Sequence, residues 1–238
     1  MIDQVLLTTL RIFTTLAGAP LTNATGFLFE RKKRLFLVTS GHVVCDPESG
    51  HHPDGLTVNV HTDRNNIAEV TGFAIPLLKE GKPLWRDARD EGGQVDLAVV
   101  EIDRNAWPKS AFYTTFRRRH IPSPDAAIPV GSRLLTLGYP MGFQDDLHQL
   151  PVARQAALAS PFGLRFQGKG YFLVDAWTHR GISGAPVVRP TGERGAFPYQ
   201  LVGIHSSRLE ANARDPEHDE VLGLNAAWYA DILDRLTQ

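Results

Sequence analysis

Apolar residues along this chain come in short runs rich in Val, Leu, Ile, Phe and Thr, each closed off by Gly, Pro, Asn or Asp. Runs of that length and composition favour strands over helices. The pattern predicts strands at 10–17, 26–30, 35–39, 56–62, 68–75 and 97–102. After a break it predicts 133–138, 154–159, 171–174, 185–189, 200–205 and 221–224. Six and six short strands, with no helix-length period between them, describe an all-β sandwich or barrel.

The break at 104–130 is rich in proline and carries Arg117-Arg118-Arg119-His120. It reads as a connection between two β units. No aromatic stacking pattern accompanies the basic cluster, so it reads as a solvated linker and not as a nucleic-acid patch. The expected organisation is an N-terminal unit at 1–103, a linker at 104–130 and a C-terminal unit at 131–238. Near the end, Trp228, Ile232 and Leu236 stand four apart, which predicts one short amphipathic helix closing the chain.

With 238 residues, 42% of them hydrophobic and 21% charged, the chain can build one large core or two small ones. Its net charge of −1 exerts no bulk pull on nucleic acid or anionic lipid. Cys45 is alone, which excludes an intramolecular disulfide and leans toward a reducing compartment. The first residues lack a basic segment, and Thr8, Thr9, Arg11, Thr14 and Thr15 interrupt the apolar stretch that follows. No run approaches the ~18 apolar residues of a membrane span. The expectation is a protein that stays off membranes, with cytoplasmic residence as the default.

Three segments carry chemistry. Gly181-Ile182-Ser183-Gly184-Ala185-Pro186 crowds small residues around one serine just before an apolar strand. Its glycines let the backbone turn the serine outward while amide groups point into a common cavity. Leu37-Val38-Thr39-Ser40-Gly41-His42 runs a buried-type strand straight into a histidine. Asp96-Leu97-Ala98-Val99-Val100 sets an aspartate at the mouth of another apolar strand, where burial is costly unless something uses its charge. Taken singly, the three have plain alternatives: a turn, a core histidine and a strand cap. Together they supply the nucleophile, base, orienting carboxylate and oxyanion donors that amide cleavage requires.

Order and context then make a family resemblance visible. The chain resembles the chymotrypsin-like serine peptidases, most closely the bacterial trypsin-like and Deg/Htr-type catalytic domains. The segment 37–43 resembles their L-V-T-x-x-H-V, 96–100 their D-L-A-V-L, and 181–186 their G-N-S-G-G-P. Leu137-Gly138-Tyr139-Pro140, Asp175-Ala176 and Leu201-Val202-Gly203-Ile204 add matches outside those three. The resemblance implies two six-stranded antiparallel barrels with a catalytic triad of His42, Asp96 and Ser183 between them. It also implies an oxyanion hole from the backbone N–H groups of Gly181 and Ser183, and a protein or peptide as substrate. Ile182 and Ala185 depart from the family pattern, and no activation site near the N-terminus is apparent.

Thr178 and His205, with Trp177 where trypsins carry an acidic residue, suggest a pocket that reads Glu or Gln at P1, the residue whose carbonyl is attacked. Burial of His205 as a plain strand histidine is the competing reading, and so is a Trp177 that fills the pocket. The stretch 190–198 is expected to lengthen a hairpin. Asp46, His51, His52 and His61 lack a firm ligand spacing, so neither metal nor cofactor is expected. Arg31-Lys32-Lys33-Arg34 fits a hairpin tip. His120, His148 and His218 carry no readable message. Two other functions stay open: a catalytically silent relative that binds peptides or scaffolds an assembly, and an esterase-like hydrolase.

Overall fold

The computed structural model describes residues 2–123, 125–192, 195, 197–209 and 222–238. His218, part of the stretch 190–198 and the first residue of the strand expected at 221–224 lie outside the described residues, and the strand found there begins only at Leu224. The N-terminal half contains β1 (Thr9–Leu16), β2 (Ala19–Arg31), β3 (Arg34–Thr39), β4 (Gly55–His61), β5 (Val70–Pro76), β6 (Leu78–Lys79), β7 (Lys82–Pro83), β8 (Trp85–Asp90) and β9 (Gly93–Ile102). A one-turn helix α1 (Gly41–Val44) leaves the end of β3. The linker contributes β10 (Phe116–Arg117). The C-terminal half contains β11 (Arg133–Gly138), β12 (Val152–Leu158), β13 (Tyr171–Asp175), β14 (Pro186–Pro190), β15 (Tyr199–Arg208) and β16 (Leu224–Tyr229), then α2 (Leu233–Leu236).

The C-terminal strands close into a six-stranded barrel in the order β11-β12-β13-β16-β15-β14. The N-terminal strands pair in the order β5-β4-β1-β2-β3-β9-β8 without closing by hydrogen bonds. Of the two barrels implied by the resemblance, one is thus a closed ring of pairs. The other is a sheet whose would-be closing strand is divided. Its first part, β5, pairs with β4, and its second part, β8, pairs with β9. Between them the chain spends 77–84 on the small hairpin β6–β7.

Alternating burial puts Ile12, Leu28, Leu37, Val58, Val100 and Trp107 into an N-terminal core. A second core, with Phe27, Phe36, Val99, Phe116, Leu137, Ile204 and Trp228, draws residues from both halves. The two halves therefore share apolar surface and do not merely touch. At the β2–β3 turn, Lys32 and Lys33 both take positive φ, which fits the primed turn of a tight hairpin.

Two sequence expectations need correction. The segment 104–130 is more than a solvated linker: Phe116 is fully buried and β10 adds to β2 in parallel. Its arginines pair across the molecule, Arg117 with Glu30 and Arg118 with Asp234. The closing helix is also shorter than the spacing of Trp228, Ile232 and Leu236 predicts. Residues Leu224–Tyr229 form the strand that seals the barrel between β13 and β15. There Trp228 packs edge-on against Tyr171. Barrel closure overrides a local helical period, because an unpaired gap would expose two strand edges.

Candidate active site

The end of β3 delivers Ser40 and α1, and α1 carries His42. The His42 backbone N–H donates to Asp96 Oδ1 and its ring Nδ1 meets Asp96 Oδ2, both at 2.8 Å. A carboxylate can only accept, so Nδ1 carries the proton and Nε2 is left as the free acceptor. Asp96 reaches this position from β9, the strand beside β3. Its Oδ2 also accepts from Ser206 Oγ. Burial works against a charged imidazole, but the hydrogen bond and charge of Asp96, with Asp46 farther off, outweigh it and raise the His42 pKa above 6.5. Burial would likewise raise the Asp96 carboxyl. The bonds from His42 and Ser206 prevail and hold it below its ordinary value.

Ser183 lies in the turn before β14, between Gly181 at φ +90° and Gly184 at φ +83°. Neither position tolerates a side chain. A Cβ on Gly184 would stand 2.3 Å from both Thr25 O and Thr39 Oγ1, and one on Gly181 would stand 2.7 Å from Tyr139 O. The glycines thereby let this turn press against β2, β3 and the end of β11. Thr25 N–H donates to Ser183 O at 3.0 Å, and Gly184 N–H donates to His205 O at 2.9 Å. The same His205 carbonyl accepts from Ser40 Oγ at 3.1 Å, so one atom ties the serine turn to the residue before Gly41-His42. Ser183 is half-buried. Among the described residues its Oγ makes no hydrogen bond, to His42 or otherwise, and the N–H groups of Gly181 and Ser183 have no acceptor.

Thr178 and His205 do come together, but through a third residue. Both meet Asn225 Oδ1: Thr178 Oγ1 donates to it, and His205 Nε2 lies 3.2 Å away. The Asn225 amide nitrogen donates to Ala176 O at 2.7 Å and Gly223 O at 3.1 Å, which fixes its orientation and so makes His205 Nε2 a donor. His205 is 3% exposed, and complete burial pushes its pKa down to about 4. Beside it a cavity of about 140 Å³ is lined by Ala176, Trp177, Thr178, Arg208, Leu224 and Asn225, among others. Trp177 is 60% exposed and sits on the lip of this cavity without filling it. A larger cleft of about 350 Å³, with Phe162, Tyr229 and Ile232, includes none of the residues discussed so far in this site.

Ser206, Asn225 and Arg208 are absent from the sequence reading. Ser206 follows directly on the strand expected to end at His205. The signal available was a polar residue extending an otherwise apolar strand.

Among the described residues no group of three or more His, Cys, Asp or Glu could hold a metal. His61 is occupied by the His148 carbonyl at 2.7 Å, His51 by that of Val43 at 3.2 Å, and Cys45 lies 3.6 Å from His52 Nδ1.

The trypsin-like peptidase domain family matches residues 24–204. The chain belongs to that family. Solved structures with the same fold include an HtrA-type protease holding a tripeptide, at 16% identity and a TM-score of 0.60 over 98% of this chain. A serine endoprotease from Yersinia pestis shares 16% identity, with a TM-score of 0.57 over 97%. An inactivated protease paralogue of the scabies mite shares 18%, with a TM-score of 0.58 over 99%. This peptidase domain spans about six-tenths of the first two structures, 59% and 61%, but 94% of the third. No curated protein sequence matches it.

Proposed function

We propose that this peptidase domain is a serine endopeptidase in which His42 is the general base, Asp96 its orienting carboxylate and Ser183 the nucleophile. The observation that carries the reading is the double attachment of His42 to Asp96, through the backbone N–H and Nδ1 together. It holds the ring in one tautomer with Nε2 ready to accept. In the proposed cycle Nε2 takes the Ser183 Oγ proton as oxygen attacks the peptide carbonyl, then gives it to the leaving amine. Water, deprotonated by the same nitrogen, then splits the acyl-enzyme and restores the serine. The N–H groups of Gly181 and Ser183, with no acceptor among the described residues, suit the oxyanion, and each such donor is worth about 3 kcal/mol in related enzymes. Hydrogen bonds of this kind commonly tighten only with substrate bound, which accommodates a Ser183 Oγ that is free here.

The same fold also occurs in an inactivated protease paralogue. What supports the active reading is that all three proposed reacting groups are present and that the imidazole and carboxylate are engaged. For the acylated side chain we propose Glu or Gln at P1. What supports it is a cavity with polar walls, Thr178 and Arg208 among them, beside the buried His205.

A fluorophosphonate probe tests the nucleophile. Labelling of the wild type, lost in Ser183→Ala with an unchanged melting temperature, is the expected result. Labelling that persists in the variant would remove Ser183 from the mechanism. A positional-scanning peptide library tests P1, and a preference for Ala, Val or Leu would overturn the Glu or Gln assignment.

A further inference from the structure

Two donors beside this cavity, Thr178 Oγ1 and His205 Nε2, are already engaged within the fold. Asn225 Oδ1 accepts from Thr178 and His205, while its amide nitrogen is satisfied by backbone carbonyls. Asn225 is 1% exposed and lines the cavity with Thr178, while His205 lies behind it. What remains to recognise a ligand must come from the walls. Of the described residues lining the cavity, Arg208 alone is an Asp, Glu, Lys or Arg.

Its place there is set by an irregularity in the barrel. His205 pairs with Ala227 and Arg208 pairs with Asn225, so three steps along β15 match two along β16. In a regular strand residues three apart face opposite sides. The extra residue of a bulge reverses that parity and puts Arg208 on the face of His205, opposite Asn225. The irregularity also lies where Ser206 turns to Asp96. The positive charge of Arg208 is felt at His205, where it opposes protonation.

We propose that Arg208 is the specificity-determining residue of this pocket, pairing with the carboxylate of an acidic P1 side chain, while Asn225 keeps Thr178 and His205 out of substrate recognition. The proposal rests on the P1 reading above and narrows it from Glu or Gln to Glu. A guanidinium forms a charge-assisted bidentate pair with a carboxylate, which an amide of the same shape cannot return. A neutral His205 behind a neutral Asn225 offers no such discrimination.

The test uses peptides identical except for Glu, Gln, Ala or Lys at P1. In the wild type Glu is expected to exceed Gln at least tenfold in kcat/KM at low ionic strength, with the ratio shrinking in 0.5 M salt. Arg208→Gln should bring the Glu-to-Gln ratio close to one. Arg208→Glu should move the preference to Lys, a gain that misfolding cannot imitate. Equal cleavage of Glu and Gln, both above Ala, would overturn the role of Arg208 and leave the P1 reading intact. A Glu preference that survives Arg208→Gln would do the same. No advantage of either over Ala would overturn both.

Discussion

Ser206 Oγ donates to Asp96 Oδ2, the same carboxylate oxygen that faces His42 Nδ1. The Asp96 carboxylate is thus held from both sides, by His42 of the N-terminal half and by a residue near the end of β15. Removing one donor to a half-buried carboxylate costs about 1.5–3 kcal/mol. Ser206→Ala is therefore expected to lower kcat by roughly tenfold or more, with little change in KM. Steady-state kinetics on one good peptide checks it, and an unchanged kcat would show that His42 alone positions Asp96.

Activity should rise with pH as His42 loses its proton, and the midpoint of kcat/KM should lie above 6.5 because Asp96 raises that pKa. Asp96→Asn should shift the midpoint downward and cut kcat by about 10⁴, since the amide favours the wrong tautomer. A pH–rate profile of both proteins decides it, and coincident midpoints would separate Asp96 from the base.

Gly184→Ala should destabilise the fold. The substitution combines a left-handed backbone with a Cβ only 2.3 Å from Thr25 O and Thr39 Oγ1. Left-handed geometry alone costs ~1 kcal/mol or more, and the clash adds to it. A loss of at least about 2 kcal/mol in urea unfolding is expected, and a wild-type midpoint would mean that this turn yields easily.

Acid should destabilise the protein before its carboxylates titrate. Burial holds His205 at about 4, and burial with Arg119 and Arg117 holds His120 at about 4. Both are ordinary at 6.5 once unfolded, so the unfolded chain binds protons first. The stability they contribute is present above 6.5 and is lost as pH falls from there toward 4. His42 acts in the opposite sense, its contribution being lost as pH rises through its raised pKa. The melting temperature should fall between pH 6.5 and 4, and His205→Gln should flatten that fall. An equally steep fall in the variant would count against His205.

The contact of His42 with Asp96 was legible because both residues stand at strand ends. His42 and Asp96 each adjoin an apolar run, and adjacency of β3 and β9 is enough to bring them together. The strand Arg133–Gly138 is where the pattern sets it. What escaped depends on pairings remote in sequence. Trp85–Asp90 carries four charged residues and no apolar alternation, so it becomes a strand only against β9. Asn225 lay between an expected strand and an expected helix. Its role appears only once β16 stands beside β15 and lowers its carboxamide between Thr178 and His205. Arg208 required the bulge, which a simple alternation of faces cannot anticipate.

Dividing the closing strand into β5 and β8 leaves two free borders in a molecule whose other half has none. Such borders invite neighbouring chains to add strands, the first step of aggregation. Here each is blunted. Pro76 ends β5, and the hairpin that follows carries Lys79, Glu80, Lys82 and Pro83 in exposed positions. On β8, Arg86 is drawn to the carbonyls of Leu236 and Gln238, which lays the chain's end beside that strand. Resistance to edge-to-edge pairing is thereby entrusted to a few charged and proline residues that take no part in the contacts of His42, Asp96 and Ser183.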